Sequence, residues 1–145
     1  MEEKFFKFYY MIYLDRRGIS RYNANRKGGG FMSIAADLIR GHTETIILSQ
    51  LLKHDSYGYE INKTIRTLSG GRYELKEATL YSAFRRLEET GQIEAYWGNE
   101  ETGARRRYYR ITEAGKKAHA EQIAAWNEAE TIIRKLLDTG GNTYA

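Results

Sequence analysis

Residues 74–112 read ELKEATLYSAFRRLEETGQIEAYWGNEETGARRRYYRIT, and this stretch decides the fold. Within 77–90, Leu80, Phe84 and Leu87 recur at the 4-3 spacing that puts apolar side chains on one face of a helix. Gly91 follows at once, where a left-handed residue closes a helix with least strain. Two short runs rich in aromatic and β-branched residues come next, 93–97 and 105–111. They flank GNEETG at 98–103, which is turn chemistry. A helix followed by a basic-tipped hairpin is the pattern of a winged helix-turn-helix. In that arrangement the helix enters the major groove and the hairpin reaches a neighbouring phosphate backbone.

The bulk numbers narrow the options. A chain of 145 residues suffices for one domain with one modest core. Cysteine is absent, which excludes disulfides and thiolate metal sites. His42, His54 and His119 are scattered without metal-ligand spacing and read as surface or helix-end residues, so no metal is expected. No run approaches the roughly 20 apolar residues of a membrane span, and no signal-peptide pattern stands at the start. A cytoplasmic protein is expected. Catalysis finds no support: no Ser-His-acid grouping is suggested, and the glycines at 28–30 lack the Lys-Ser/Thr of a phosphate loop. The chain reads as a non-enzyme without cofactor.

The net charge of +4 is not by itself a sign of nucleic-acid binding. Residues 1–31 hold seven Lys or Arg against three Asp or Glu, whereas 32–145 hold sixteen of each. Local clustering carries the argument instead. Arg105, Arg106, Arg107, Arg110, Lys116 and Lys117 stand against a single acid, Glu113.

Four segments follow. Residues 1–31 crowd Phe and Tyr at one end and run into a basic, Gly-rich stretch. We read them as an N-terminal extension, poorly ordered or loosely helical. The sequence KGGGFM at 27–32 is what a translated purine-rich ribosome-binding site would encode, with Met32 as the native start. An AAGGAGG-like run before the Met32 codon tests this. Residues 32–111 form the winged helix-turn-helix. A first helix is expected over 33–53, capped by Ser33 and buried through Ile34, Leu38, Ile47, Leu48, Leu51 and Leu52. A second, over 57–69, is capped by Asp55 or Ser56 and turns Tyr59, Ile61, Ile65 and Leu68 inward. Residues 72–75 add a minor strand. Residues 112–138 form a long helix capped by Thr112. Trp126, Ala129, Ile133 and Leu136 repeat on it at 3-4-3, a coiled-coil seam that a second copy would cover. Residues 139–145 are a frayed tail. The fold class is mainly α (α+β), with a long C-terminal dimerisation helix.

The motifs EATLY at 77–81, RLEETG at 86–91 and RYYRITEAG at 107–115 resemble the PadR family of bacterial transcription regulators. The resemblance covers about residues 32–138 and is nearest to the family's short, multidrug-responsive branch. It implies a homodimeric, DNA-binding regulator, a repressor relieved by a planar hydrophobic or cationic compound. Two other classes stay open: a ligand-independent DNA-binding dimer, and a winged-helix module for protein contact.

With Leu80, Phe84 and Leu87 inside, Lys76, Glu77, Thr79, Ser82, Arg85 and Arg86 are left on exposed faces of the helix. Thr79 and Ser82 suit base edges, and the arginines suit phosphate or guanine. For the helix alone, an amphipathic helix with solvated charges explains these residues equally well. The attached hairpin favours DNA. Arg105 and Arg106 are the expected wing contacts, with Arg107 beside them, because strand alternation keeps all three off one backbone. The resemblance makes Tyr81 a phosphate contact, against an ordinary structural tyrosine. Its relatives carry Asn where this chain has Lys76, a lost cap worth ~1 kcal/mol. The resemblance also places Trp126 where the multidrug-responsive relatives stack two indoles around a flat ligand, with Glu130, Glu44 and Thr45 lining the opening. Ile123 and His119 depart from the bulkier or more flexible apolar groups found there. Trp97 reads as packing against the winged core.

Overall fold

The computed structural model of the chain describes residues 36–99, 105–138 and 140. The chain divides into two compact units, 1–38 and 39–145, and the second holds every element discussed here. Its order is α1 (Thr43–Leu51), β1 (Ser56–Tyr57), α2 (Gly58–Leu68), α3 (Glu77–Glu89), β2 (Ile93–Trp97), β3 (Arg107–Ile111) and α4 (Glu113–Leu137). The expected extension over 1–31, Ser33, Ile34, the wing tip at Gly103 and Ala104, and the tail beyond Gly140 lie outside the described residues.

The three strands form an antiparallel sheet in the order β1-β3-β2, with Ile93 opposite Ile111 and Trp97 opposite Arg107. Ser56 pairs with Tyr109 and Tyr57 with Tyr108. One face of this sheet closes the core. Tyr109 stacks on Phe84 of α3 with ring centroids 3.9 Å apart. Around that pair lie Ile47, Leu48 and Leu51 of α1, Ile61 and Ile65 of α2, and Leu80, Ala83 and Leu87 of α3, all buried. This is the expected winged helix-turn-helix core. Among the described residues no helix is long and apolar enough to cross a membrane.

Two junctions fix where α3 and α4 point. Gly91 has φ +70°, and the amides of Gly91 and Gln92 donate to the carbonyls of Glu88 and Leu87, a Schellman closure of α3. Thr112 then caps α4: its Oγ1 accepts from the Gly115 amide at 3.1 Å and donates to the Gly91 carbonyl at 2.7 Å. A Cβ on Gly115 would collide with the Gln92 carbonyl oxygen and lie 2.7 Å from Ile111 Cγ1. The final glycine of RYYRITEAG is thus a close-approach residue that seats the start of α4 on the α3–β2 corner.

Several expectations need correction. Residues 33–53 are not one helix. The His42 amide donates to the Ile39 carbonyl in a tighter turn, His42 leaves helical geometry (φ −108°, ψ 13°), and α1 begins at Thr43. Leu38, expected inside, is exposed, as is Leu52 in part. The helix after the turn starts at Gly58, and neither Asp55 nor Ser56 caps it, because Ser56 is spent as a strand residue whose Oγ donates to Glu60. Tyr59 and Leu68 point outward. The third strand is β1, not 72–75. The Asn62 side chain donates to the Leu75 carbonyl and accepts from the Leu75 amide, both at 2.8 Å, so that backbone is satisfied without a strand partner. Trp97 does not pack on the core: it is 57 % exposed at the outer end of β2. β3 begins at Arg107, two residues later than the composition suggests.

Candidate nucleic-acid interface and interhelical cleft

The exposed side of α3 splits into two stripes, because side chains three or four apart share a face. Lys76, Thr79, Ser82 and Arg86 form one; Tyr81, Arg85, Glu88 and Glu89 form the other. Lys76 holds the N-cap position in extended geometry without a side-chain cap bond, which leaves the first turn's amides facing outward. Lys76 and Ser82 are exposed and Thr79 is half-buried. Arg85 and Arg86, adjacent in sequence, therefore do different things. Arg85 Nε donates to Glu89 Oε1 at 3.0 Å along the helix. Arg86 turns back to α1, where its Nε lies 2.6 Å from Glu44 Oε1.

The second stripe faces the wing across a groove of about 340 Å³, lined by Tyr81, Arg85, Glu88, Glu89 and Arg107 among others. Tyr81 is half-exposed, and its hydroxyl lies beside Gly58 at the start of α2. Arg107 Nη2 donates to Glu88 Oε2 at 2.9 Å. The other two wing arginines lie on rings. Arg105 sits 6.0 Å from the centre of Trp97 and Arg106 4.8 Å from that of Tyr57. Trp97 pairs with Arg107, whereas Tyr57 pairs with Tyr108, so Arg105 and Arg106 address opposite faces of the sheet.

That outer face carries a network which sequence reasoning missed. Tyr57, Tyr108 and Tyr96 lie edge-on and stacked at 5.4 and 5.7 Å. The Tyr96 hydroxyl and Arg110 Nε both donate to Asp55 Oδ2, at 2.7 and 3.1 Å. The hydrogen bond to Asp55 raises the pKa of both groups. Arg110 thus ties the wing to the turn before β1.

A second candidate site lies where α1 meets α4. The His42 ring packs edge-on against Trp126, with centroids 4.9 Å apart. Burial there lowers the imidazole pKa from its ordinary 6.5. Two turns deeper, Ser49 Oγ donates to the Thr45 carbonyl at 2.9 Å and lies 2.8 Å from His119 Nε2. The hydroxyl's one proton is used on Thr45, so His119 Nε2 is the donor in that contact. Thr45 is half-buried here, while Glu44 points to Arg86. On α4, Trp126 is 43 % exposed, and Ile123, Ile133 and Leu136 are exposed with it; Ala129 is half-buried. Glu130 accepts from Arg134 at 2.7 Å. His42 was the missed residue of this cleft.

Comparison with known proteins fits this architecture. The profile described as "Transcriptional regulator PadR-like family" matches residues 47–121. An uncharacterised protein of Lysinibacillus sphaericus is 45 % identical over 100 residues, covering 69 % of this chain and 92 % of the relative. A transcriptional regulator from Clostridium thermocellum superposes with TM-score 0.66 at 48 % identity, over 71 % of this chain and 97 % of that one. A PadR family transcription regulator from Clostridium difficile gives 0.59 at 34 % identity, over 67 % and 99 %.

Proposed function

The chain belongs to the PadR-like family of transcriptional regulators, non-enzymatic DNA-binding proteins, and from that premise we propose that it is a homodimeric repressor relieved by a flat aromatic compound. The observation that carries this reading is the face of α4. The helix runs 25 residues, from Glu113 to Leu137. Its second half shows Trp126, Ile133 and Leu136 to solvent at 43, 50 and 78 % exposure. An apolar stripe of that kind calls for a cover, and a second copy supplies a self-complementary one. The pair would read a two-fold operator with half-sites ~10 bp apart. DNA contacts come from Lys76, Thr79, Tyr81, Ser82, Arg85 and Arg86 of α3 and from Arg105, Arg106 and Arg107 of the wing.

The cleft supports the effector half of the proposal, which would place the chain in the multidrug-responsive branch. A half-exposed indole with one ring edge-on against it leaves a face free for stacking, and Glu130 one turn on favours a cation. Ile123 and Thr45 would complete the walls, while Glu44, also expected to line the opening, is turned to Arg86. A ligand there would alter the spacing of the two α3 helices and weaken operator binding. By linkage, operator DNA must weaken ligand binding by the same factor.

Fluorescence titration with ethidium tests this. Trp97 is exposed on the wing and would report dye bound anywhere nearby, so the titration uses Trp97→Phe protein. Saturable quenching of Trp126 at about micromolar dye is expected, and dye emission should show no saturable binding to Trp97→Phe/Trp126→Phe protein. Unchanged dye binding after loss of Trp126 would sink the effector site.

A further inference from the structure

Residues 32–145 hold equal numbers of acids and bases, so DNA binding by the winged unit depends on where the acids sit. Glu88 and Glu89 sit in the groove between α3 and β3, facing Tyr81, Arg85 and Arg107. A DNA backbone running between a recognition helix and its wing passes through that groove. A guanidinium binds a carboxylate and a phosphate through the same N–H geometry. Glu88 therefore holds Arg107 in the manner a phosphate would. It is the better shielded of the two acids, its side chain 31 % exposed against 59 % for Glu89, and its pair spans from helix to wing.

We infer that Glu88 is an internal phosphate mimic that competes with DNA for Arg107 and so sets the affinity of the wing–helix groove. The inference rests on the DNA-binding reading above. Docking exchanges the Arg107–Glu88 pair for an Arg107–phosphate pair and leaves Glu88 beside a like charge. A phosphate seat with its own counter-charge keeps random duplex weakly bound, because non-specific binding is almost wholly a backbone interaction. Operator binding adds base contacts from Thr79 and Ser82, on the stripe that Glu88 does not touch.

The test is fluorescence anisotropy with a mixed-sequence DNA duplex at low salt, using full-length wild type, Glu88→Gln, Arg107→Gln, the double variant, and Glu128→Gln as a control for net charge on the exposed side of α4. Glu88→Gln should bind roughly three- to tenfold tighter than wild type. In the Arg107→Gln background the same change should gain no more than Glu128→Gln does. Unchanged or weaker binding by Glu88→Gln would overturn the inference, the latter by making Glu88 a positioner of Arg107. An equal gain with or without Arg107 would overturn it too, reducing the effect to net charge. Absence of salt-dependent duplex binding by the wild type would instead overturn the DNA reading itself.

Discussion

Lys76 holds a cap position that its side chain cannot use. Its backbone (φ −63°, ψ 142°) is the extended geometry of an N-cap, its carbonyl accepts from the Leu80 amide at 3.0 Å, and no side-chain atom accepts from the first turn. Lys76→Asn would place an acceptor within reach of the Ala78 or Thr79 amide. Such a cap contributes about 0.5–2 kcal/mol. Removing a cation from a helix N-terminus adds about 0.3–1 kcal/mol at low salt. The variant should therefore be about 1–2 kcal/mol more stable, raising Tm by roughly 5–10 °C for a domain of this size. The same change removes a cation from the stripe proposed to face DNA. If Lys76 touches phosphate, the slope of log K against log salt should become shallower by about 0.9. Circular-dichroism melts read the first effect and anisotropy at several salt concentrations the second. A Tm at or below wild type would refute the reading of Lys76 as an unfilled cap. A raised Tm with an unchanged salt slope would remove Lys76 from the interface and leave the cap argument standing.

Gly115→Ala gains helix propensity but drives a methyl into the Gln92 carbonyl that accepts from Thr112, so a net loss of about 1–3 kcal/mol in a thermal melt is expected; a neutral result would mean the corner yields. Ile133→Glu alters a half-exposed residue on the proposed seam, so sedimentation should show a dimer for wild type and a folded monomer for the variant; a variant dimer that persists would move the interface elsewhere. Burial holds the His42 pKa below 6.5, so as pH falls the unfolded chain takes up that proton first. The stability from neutral His42 is complete above about pH 6.5 and is lost as pH falls below it, and His42→Gln should flatten the Tm profile between about pH 7 and 5. A wild-type profile no steeper than the variant's would contradict the assigned burial effect.

The fold was legible where short-range patterns act alone. Leu80, Phe84 and Leu87 lie on one helical face because helix geometry puts them there, and the Gly91 closure needs only the residues around it. Thr112 could likewise be recognised as a cap from position and residue type. Reading failed where a side chain replaced a backbone partner. Residues 72–75 have strand-like composition, but Asn62, thirteen residues earlier, takes both of Leu75's backbone groups, and no local pattern signals that an amide will do so. Tyr59 and Leu68 had the spacing of core residues on α2 yet point outward, because Ile61 and Ile65 already fill the face that α3 covers.

The candidate site divides along the same line. Residue type and position singled out Arg85, Arg86, Arg105, Arg106 and Arg107 as the cations proposed to meet DNA. Their partners differ with the tertiary fold: Glu89 lies 4 residues from Arg85, but Glu44 lies 42 from Arg86 and Glu88 lies 19 from Arg107, while Arg105 and Arg106 lie on the rings of Trp97 and Tyr57. A count of basic residues treats these arginines as equivalent. The structure makes Arg86 a link between α3 and α1, Arg110 a tie from β3 to the turn before β1, and Arg107 the partner of Glu88. The two helices joined by Arg86 and Glu44 are the one whose exposed stripe is proposed to face DNA and the one preceded by His42 against Trp126. A displacement at Trp126 that moves α1 acts on α3 through the shared core of Ile47, Leu48 and Leu51 against Leu80, Phe84 and Leu87, and through the Arg86–Glu44 pair at 2.6 Å.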